Sequence, residues 1–244
     1  MSWKRVGAFL TVAVLSSVAV TAVAQSPVSK AAVPVRREKL TPADVEAKLA
    51  RLTELCQKNE RKKVAEEFGD EDIVGWLNAF DDKAAGRSKV VDALHKRGTC
   101  FSFVGNHARA RHDFEHGIEL SPSSGHMWNS LGRVYERLGE KDKALDAFNK
   151  AFEFACAAHK TKPLGWMPIS ATLSAASILM QQSKYTEALE VLNHYNDEEI
   201  DKMGTYWACR MLRGYGQVYL GMGREAEAMA KFKAALELET KQEE

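Results

Sequence analysis

Residues 128–148 read WNSLGRVYERLGEKDKALDAF, and the spacing within them decides the fold. Trp128, Leu131 and Tyr135 recur at three- and four-residue steps, as the apolar side of a helix does, and Ala144 and Phe148 do the same after Gly139. Gly139 marks a turn short enough that the two segments must fold back on each other as an antiparallel pair. In that pair Gly132 is expected to face Ala144, where the helix axes approach too closely for larger side chains. Trp128, Leu131, Tyr135 and Phe148 would fill the space around them.

The pattern recurs, and a recurring period of this length is the mark of a stacked helical array. Thirty-four residues upstream stand Leu94, Gly98, Phe101, Gly105, Ala110 and Phe114, with Pro122 opening the next connection. Near the C-terminus Leu212, Gly216, Tyr219, Gly223, Ala228, Phe232 and Ala235 keep the same intervals. Between them Ala176, Leu179, Tyr185, Ala188 and Leu192 form a weaker copy. It is set off by insertions around residues 159–168 and 196–204, which loops absorb because closure entropy grows only logarithmically with length. One position departs from the pattern: Arg97 stands where Leu131 stands one repeat later.

This set of positions resembles the tetratricopeptide repeat. The resemblance implies an all-α, right-handed superhelical solenoid of antiparallel helix pairs. It also implies a concave groove lined mainly by the first helix of each repeat, and a role in holding a partner protein. Four repeats are assigned, at about 91–124, 125–158, 169–202 and 209–242. Such repeats bury their apolar faces only by stacking, so three or more are needed for a stable array.

The rest of the chain divides as follows. Lys4 and Arg5 precede an uncharged run, Val6 to Ala24, that ends in Ala22-Val23-Ala24. This is the form of a secretory signal peptide cleaved after Ala24. An uncleaved membrane anchor is the alternative, since the run is near the length that spans a bilayer. Export to a bacterial periplasm or secretion is therefore expected, and the absence of any Asn-x-Ser/Thr triplet fits the periplasm. Residues 25–40 lack helical period and read as a spacer. Residues 41–90 read as an N-terminal helical cap or, alternatively, a degenerate repeat. A helix begins at Thr41-Pro42-Ala43-Asp44, and a second, carrying Ile73, Trp76, Leu77 and Phe80, ends near Gly86.

Charge and motifs narrow the function classes. The formal charge is +1, or −1 without Lys4 and Arg5, and mean hydropathy is −0.33. No global field attracts a polyanion, so nucleic acid is not expected as a partner. No phosphate-binding loop, dinucleotide fingerprint or nucleophile elbow occurs, and neither an enzyme activity nor a cofactor is expected. His112 and His116 share a helix face, but without the acid placement of a zinc protease they are read as solvent-facing. The four cysteines show no C-x-x-C; Cys56 and Cys100 are a candidate disulfide, against buried free thiols.

The candidate groove residues are those on first helices that point away from the packing seam. These are His126, Asn129, Arg133, Glu136 and Arg137; His95, Thr99 and Ser102; Leu173, Ser177 and Met180; and Arg210, Arg213 and Gln217. His126, Asn129, Arg133, Arg137, Arg210 and Arg213 would make the groove locally basic. Arginine forks bidentately onto carboxylates, so a partner protein with an acidic or C-terminal segment is indicated. The Lys/Asn/Lys/Arg clamp with which some family members grip chaperone tails cannot be assembled from these positions. A ligand-binding pocket within residues 41–90 is the alternative function. The last helix, with no further helix to cover it, is a candidate surface for self-association.

Overall fold

The computed structural model describes residues 40–158 and 164–241. The expectations for the export segment and most of the spacer lie outside the described residues. Eleven α-helices follow one another, with no strand among the described residues: α1 Pro42–Gln57, α2 Arg61–Glu67, α3 Lys83–Phe103, α4 His107–Leu120, α5 Gly125–Arg137, α6 Lys141–Ala157, α7 Trp166–Gln181, α8 Tyr185–Leu192, α9 Asp197–Asp201, α10 Thr205–Gly221 and α11 Glu225–Thr240. A 3-10 segment, Val74–Ala79, lies between α2 and α3. The helices pack as hairpins, α3 on α4, α5 on α6, α7 on α8 and α10 on α11, and each hairpin stacks on the next. The result is the all-α solenoid that the repeat predicts.

A small residue set against a large one holds each hairpin. A Cβ placed on Gly98 would come within 2.9 Å of the Phe114 ring, one on Gly132 within 2.8 Å of Phe148, and one on Gly216 within 2.5 Å of Phe232. Each glycine lets a phenylalanine ring lie directly on the partner helix backbone, and fully burying such a ring contributes about 1.5–3 kcal/mol. Gly132 therefore faces Phe148 and not Ala144 as expected; Ala144 is itself fully buried in the same cluster. In the weaker copy the seam is changed at both ends, with Ala176 for the glycine and Leu192 for the phenylalanine, both buried. A larger residue on one side is matched by a smaller one on the other.

The turns are equally uniform. Gly105, Gly139 and Gly223 have φ of +82°, +77° and +73°, and Ser183 takes the same place with φ of 60°. In each turn this residue donates its N–H to the carbonyl three residues back, and the next residue donates to the carbonyl five back, as in Asn106 N–H to Phe101 O at 2.9 Å. This Schellman arrangement satisfies carbonyls that a helix end leaves unpaired.

The same turn closes α1 onto α2. Asn59 has φ of 59°, its N–H bonds Cys56 O at 3.1 Å, and Glu60 N–H bonds Leu55 O at 2.9 Å. Glu60 has φ −83° and ψ 55°, close to the −83° and 66° of Glu140 at the matching position. The N-terminal hairpin is thus built as a repeat hairpin, with Leu52, Val64 and Phe68 where the regular copies have glycine, alanine and phenylalanine. Leucine in place of glycine keeps the helices from closing as tightly, and α2 stops after seven residues.

Two boundaries differ from expectation. Gly86 does not end a helix but lies in the first turns of α3, which Asp82 caps by accepting from the N–H groups of Ala84 and Ala85 at 2.9 and 3.2 Å. Its missing side chain makes room for the Phe80 ring. Pro168, expected in a connection, lies in the first turn of α7, where its missing N–H costs no helical bond. Within the second insertion, Asp197-Glu198-Glu199 open the one-turn helix α9, with Asn196 and Glu199 forming a reciprocal capping box.

Candidate partner-binding groove

Because the repeats stack in register, equivalent first-helix positions line up on one side of the array. The pairs His95 and Asn129, Thr99 and Arg133, and Phe103 and Arg137 are each one repeat apart. They line a cavity of about 430 Å³ together with Ser102, Ser130 and Trp166. A second cavity of about 630 Å³ is lined by Arg133, Glu136 and Arg137 of α5, Ser170, Leu173, Ser174, Ser177 and Gln181 of α7, and Arg210 of α10. Arg133 and Arg137 line both, so the two cavities are one trough. A third cavity, of about 470 Å³, lies between α1 and α3. Its charged residues are already matched, Glu46 with Lys89 and Asp92 with Lys96.

The chemistry of the trough follows from which groups are satisfied. Arg133 and Arg137 are exposed and have no ion-pair or hydrogen-bond partner among the described residues. Arg210 lies over the rings of Tyr206 and Trp207, 5.7 and 5.2 Å from their centroids, which holds its guanidinium without neutralising it. Glu136 is the one acidic residue lining the second cavity. Asn129 is 2% exposed, yet its Oδ1 has no partner among the described residues. A buried amide oxygen facing a cavity asks for a donor from whatever enters. His95 shares its Nε2 with Ser130 Oγ at 3.1 Å. Burial, and then the neighbouring His126, lower its pKa, so it adds no charge near neutral pH.

The trough brings together His95, Thr99, Ser102, Asn129, Arg133, Glu136, Arg137, Leu173, Ser177 and Arg210 of the residues selected from sequence. His126 lines neither cavity but borders the trough, its ring 5.5 Å from Trp166 and 6.5 Å from His95. Arg213 lines neither cavity, and its Nη2 bonds Glu239 of α11 at 2.7 Å. Met180 and Gln217 line neither cavity. Trp166, half-exposed, was missed because it fell in a segment read as an insertion; Pro168 in the first turn of a following helix was the available signal. Ser130, Ser170 and Ser174 carry no signal that sets them apart from solvated helix surface.

The other candidates fall elsewhere. His112 and His116 place their Nε2 atoms 3.1 Å apart on α4, and His116 Nδ1 lies 2.8 Å from Glu119. No group of three or more His, Cys, Asp or Glu side chains able to hold a metal occurs among the described residues. Cys56 and Cys100 approach to 3.7 Å as free thiols. Cys209 is buried and donates to Ala235 O at 3.5 Å. On α11, Met229 and Leu236 are 68% and 60% exposed. No helix among the described residues is long and apolar enough to cross a membrane.

Fold and groove together are those of a helical-repeat solenoid built from antiparallel hairpins. Residues 100–158 and residues 214–242 each match a family model described as tetratricopeptide repeat. No curated protein matches the chain. Among solved structures, MamA is similar at 21% identity and a TM-score of 0.54, over 80% of this chain and 93% of that one. Kinesin light chain TPR-like repeats from Podosopora anserina reach a TM-score of 0.65 at 12% identity, over 84% and 99% of the two chains. BtubC from P. vanneervenii reaches 0.61 at 15% identity, over 82% of each. At these identities the likeness is one of fold.

Proposed function

We propose that this chain is an exported, non-enzymatic adaptor that holds an acidic segment of a partner protein in the trough of its repeats. The observation that carries the reading is the set of unpaired guanidiniums, Arg133, Arg137 and Arg210, along one continuous trough. Side chains of this kind recognise carboxylates, singly or in bidentate pairs. An extended segment laid in the trough would meet the Asn129 amide with its backbone N–H groups and the arginines with its acidic side chains. Trp166 and Leu173 offer apolar contact on either side. The export reading of residues 1–24 places the partner in the periplasm or outside the cell, where an adaptor of this kind would serve envelope assembly.

Residues 41–90 support a ligand pocket less well. The charges lining the cavity between α1 and α3 are already paired, Glu46 with Lys89, Asp92 with Lys96 and Glu54 with Arg51 and Lys58, so a ligand would have to displace them. The decisive experiment is affinity capture of the tagged full chain from its own envelope fraction, with R133A/R137A alongside. One dominant partner, reduced at least several-fold in the double variant, is expected. Equal capture by both proteins would sink the groove reading, and a retained N-terminal segment in the recovered chain would sink cleavage after Ala24.

A further inference from the structure

Cys56 and Cys100 come from different helices and are separated by 44 positions in sequence, yet their sulfurs lie 3.7 Å apart. Cys56 is half-buried on the last turn of α1, and Cys100 is buried on α3. The seam around them is basic on its open side. Lys96, one turn before Cys100, donates to Thr53 Oγ1 at 3.0 Å and so lies across α1 just before Cys56. Arg61 of α2 stacks its guanidinium 3.6 Å above the Phe103 ring, on the last turn of α3. Asp92, the nearby acid, is held by Lys96 at 2.6 Å.

We propose that Cys56 and Cys100 are a redox-active dithiol, with Cys56 the attacking and Cys100 the resolving thiol, and that its oxidised form staples the N-terminal hairpin to the first regular repeat. The sulfurs are in van der Waals contact, and closing the bond brings them nearer by about 1.7 Å, to the roughly 2.0 Å of a disulfide. The two cysteines are unequal in the way such chemistry needs. The hydrogen bond shared with Cys100, aided by Lys96 and Arg61, lowers the Cys56 thiol against the opposing effects of burial and Asp92. Sharing that bond and being buried push the Cys100 thiol up. Thiolate fraction and access both favour Cys56 as the nucleophile.

The reaction is exchange with an external disulfide. The Cys56 thiolate attacks one sulfur of R–S–S–R, forming Cys56–S–S–R and releasing R–S⁻. The Cys100 thiol loses its proton to solvent and attacks the Cys56 sulfur, which expels the second R–S⁻. Two cysteine thiols lose two electrons, and one disulfide becomes two thiols. The location gives the bond a purpose. The α1–α2 hairpin has Leu52 where three of the others have the seam glycine, so a covalent tie to α3 compensates for its looser closure. Thr99, beside Cys100, lines the trough, so the staple also fixes one wall of the candidate groove. The inference does not depend on what the groove binds.

The test starts from the reduced full chain, treated with glutathione disulfide under native conditions, quenched by alkylation and mapped by mass spectrometry. A Cys56–Cys100 cross-link is expected, with Cys156 and Cys209 still alkylated after unfolding. In C100S the mixed Cys56–glutathione disulfide should accumulate, formed roughly tenfold faster than any adduct at Cys156 or Cys209. In C56S the Cys100 adduct should form no faster than those two. The oxidised chain should melt several degrees above the reduced one. Full alkylation of all four cysteines after treatment would overturn the proposal. So would faster modification of Cys100 in C56S than of Cys56 in C100S, because that reverses the roles.

Discussion

Arg97 shows how one substitution in a repeat is absorbed. Its Nε and Nη2 fork onto the Asp113 carboxylate at 2.9 and 2.6 Å, and its Nη1 donates to the Phe68 and Glu71 carbonyls at 2.8 and 2.7 Å. Both side chains are buried, at 6% and 1% exposure. The pair therefore does the work of a packing residue between α3 and α4 and also caps the end of α2. In the next repeat the same two places hold Leu131 and Ala147. Arg97→Leu leaves a buried carboxylate with only the exposed His112 imidazole near it, at 3.9 Å, and stability should fall by about 3–5 kcal/mol. R97L/D113A restores the regular pairing and should recover most of that loss, though not the part owed to the Phe68 and Glu71 carbonyls. Urea unfolding of the two variants checks this, and a single variant within about 1 kcal/mol of the parent would mean the pair is not holding the seam. The anomaly at Arg97 was visible in sequence. Its acceptors were not, because two of them are carbonyls in a turn whose course no side-chain pattern records.

At the scale of the helical hairpin, the turn carries as much information as the helices. Three hairpins were legible because glycine at the left-handed position and the glycine–phenylalanine seam both recur at fixed intervals. The α7–α8 hairpin was only partly so, since Ser183 replaces the turn glycine and Ala176 with Leu192 replaces the seam. The α1–α2 hairpin hid behind Asn59, Leu52 and Val64, which break the small-residue and turn cues and leave only Phe68, while the backbone bonds of the turn stay intact. Asparagine tolerates the left-handed region better than most residues, which explains how that turn survives without glycine. Serine has less of this tolerance. Ser183→Gly removes a left-handed penalty of about 1–2 kcal/mol, and the extra entropy of glycine in the unfolded chain offsets roughly 0.5–1 of it. A net gain of about 0.5–1 kcal/mol should raise the melting temperature by roughly 1–4 °C. Ser183→Val should lower it, because a β-branched side chain is strained at positive φ. If valine melts no lower than serine, the turn is not held as described.

At the scale of the whole molecule, charge is balanced and its distribution is not. The chain carries 34 basic and 33 acidic residues, so no long-range field guides a partner toward it. Most surface charges are consumed locally, as in Arg51 with Glu54 and Glu67, Lys143 with Glu140, and Lys150 with Asp146. Arg133, Arg137 and Arg210 are among the cations with no ion pair, and they are the ones gathered along the trough. Their separation from the partner would be a hydrogen-bond length, well inside the screening distance of about 10 Å at 0.1 M salt. Attraction of this kind acts after encounter and sets the lifetime of the complex more than its rate of formation. Binding of an acidic peptide should therefore weaken several-fold as salt rises from about 0.1 to 1 M, mostly through faster dissociation. R133A/R137A/R210A should bind weakly at every salt concentration and show little further dependence. Surface plasmon resonance with one peptide and its amidated, charge-neutral counterpart separates the two rates. A salt effect confined to association, and unchanged in the triple variant, would place the recognising charges outside the trough.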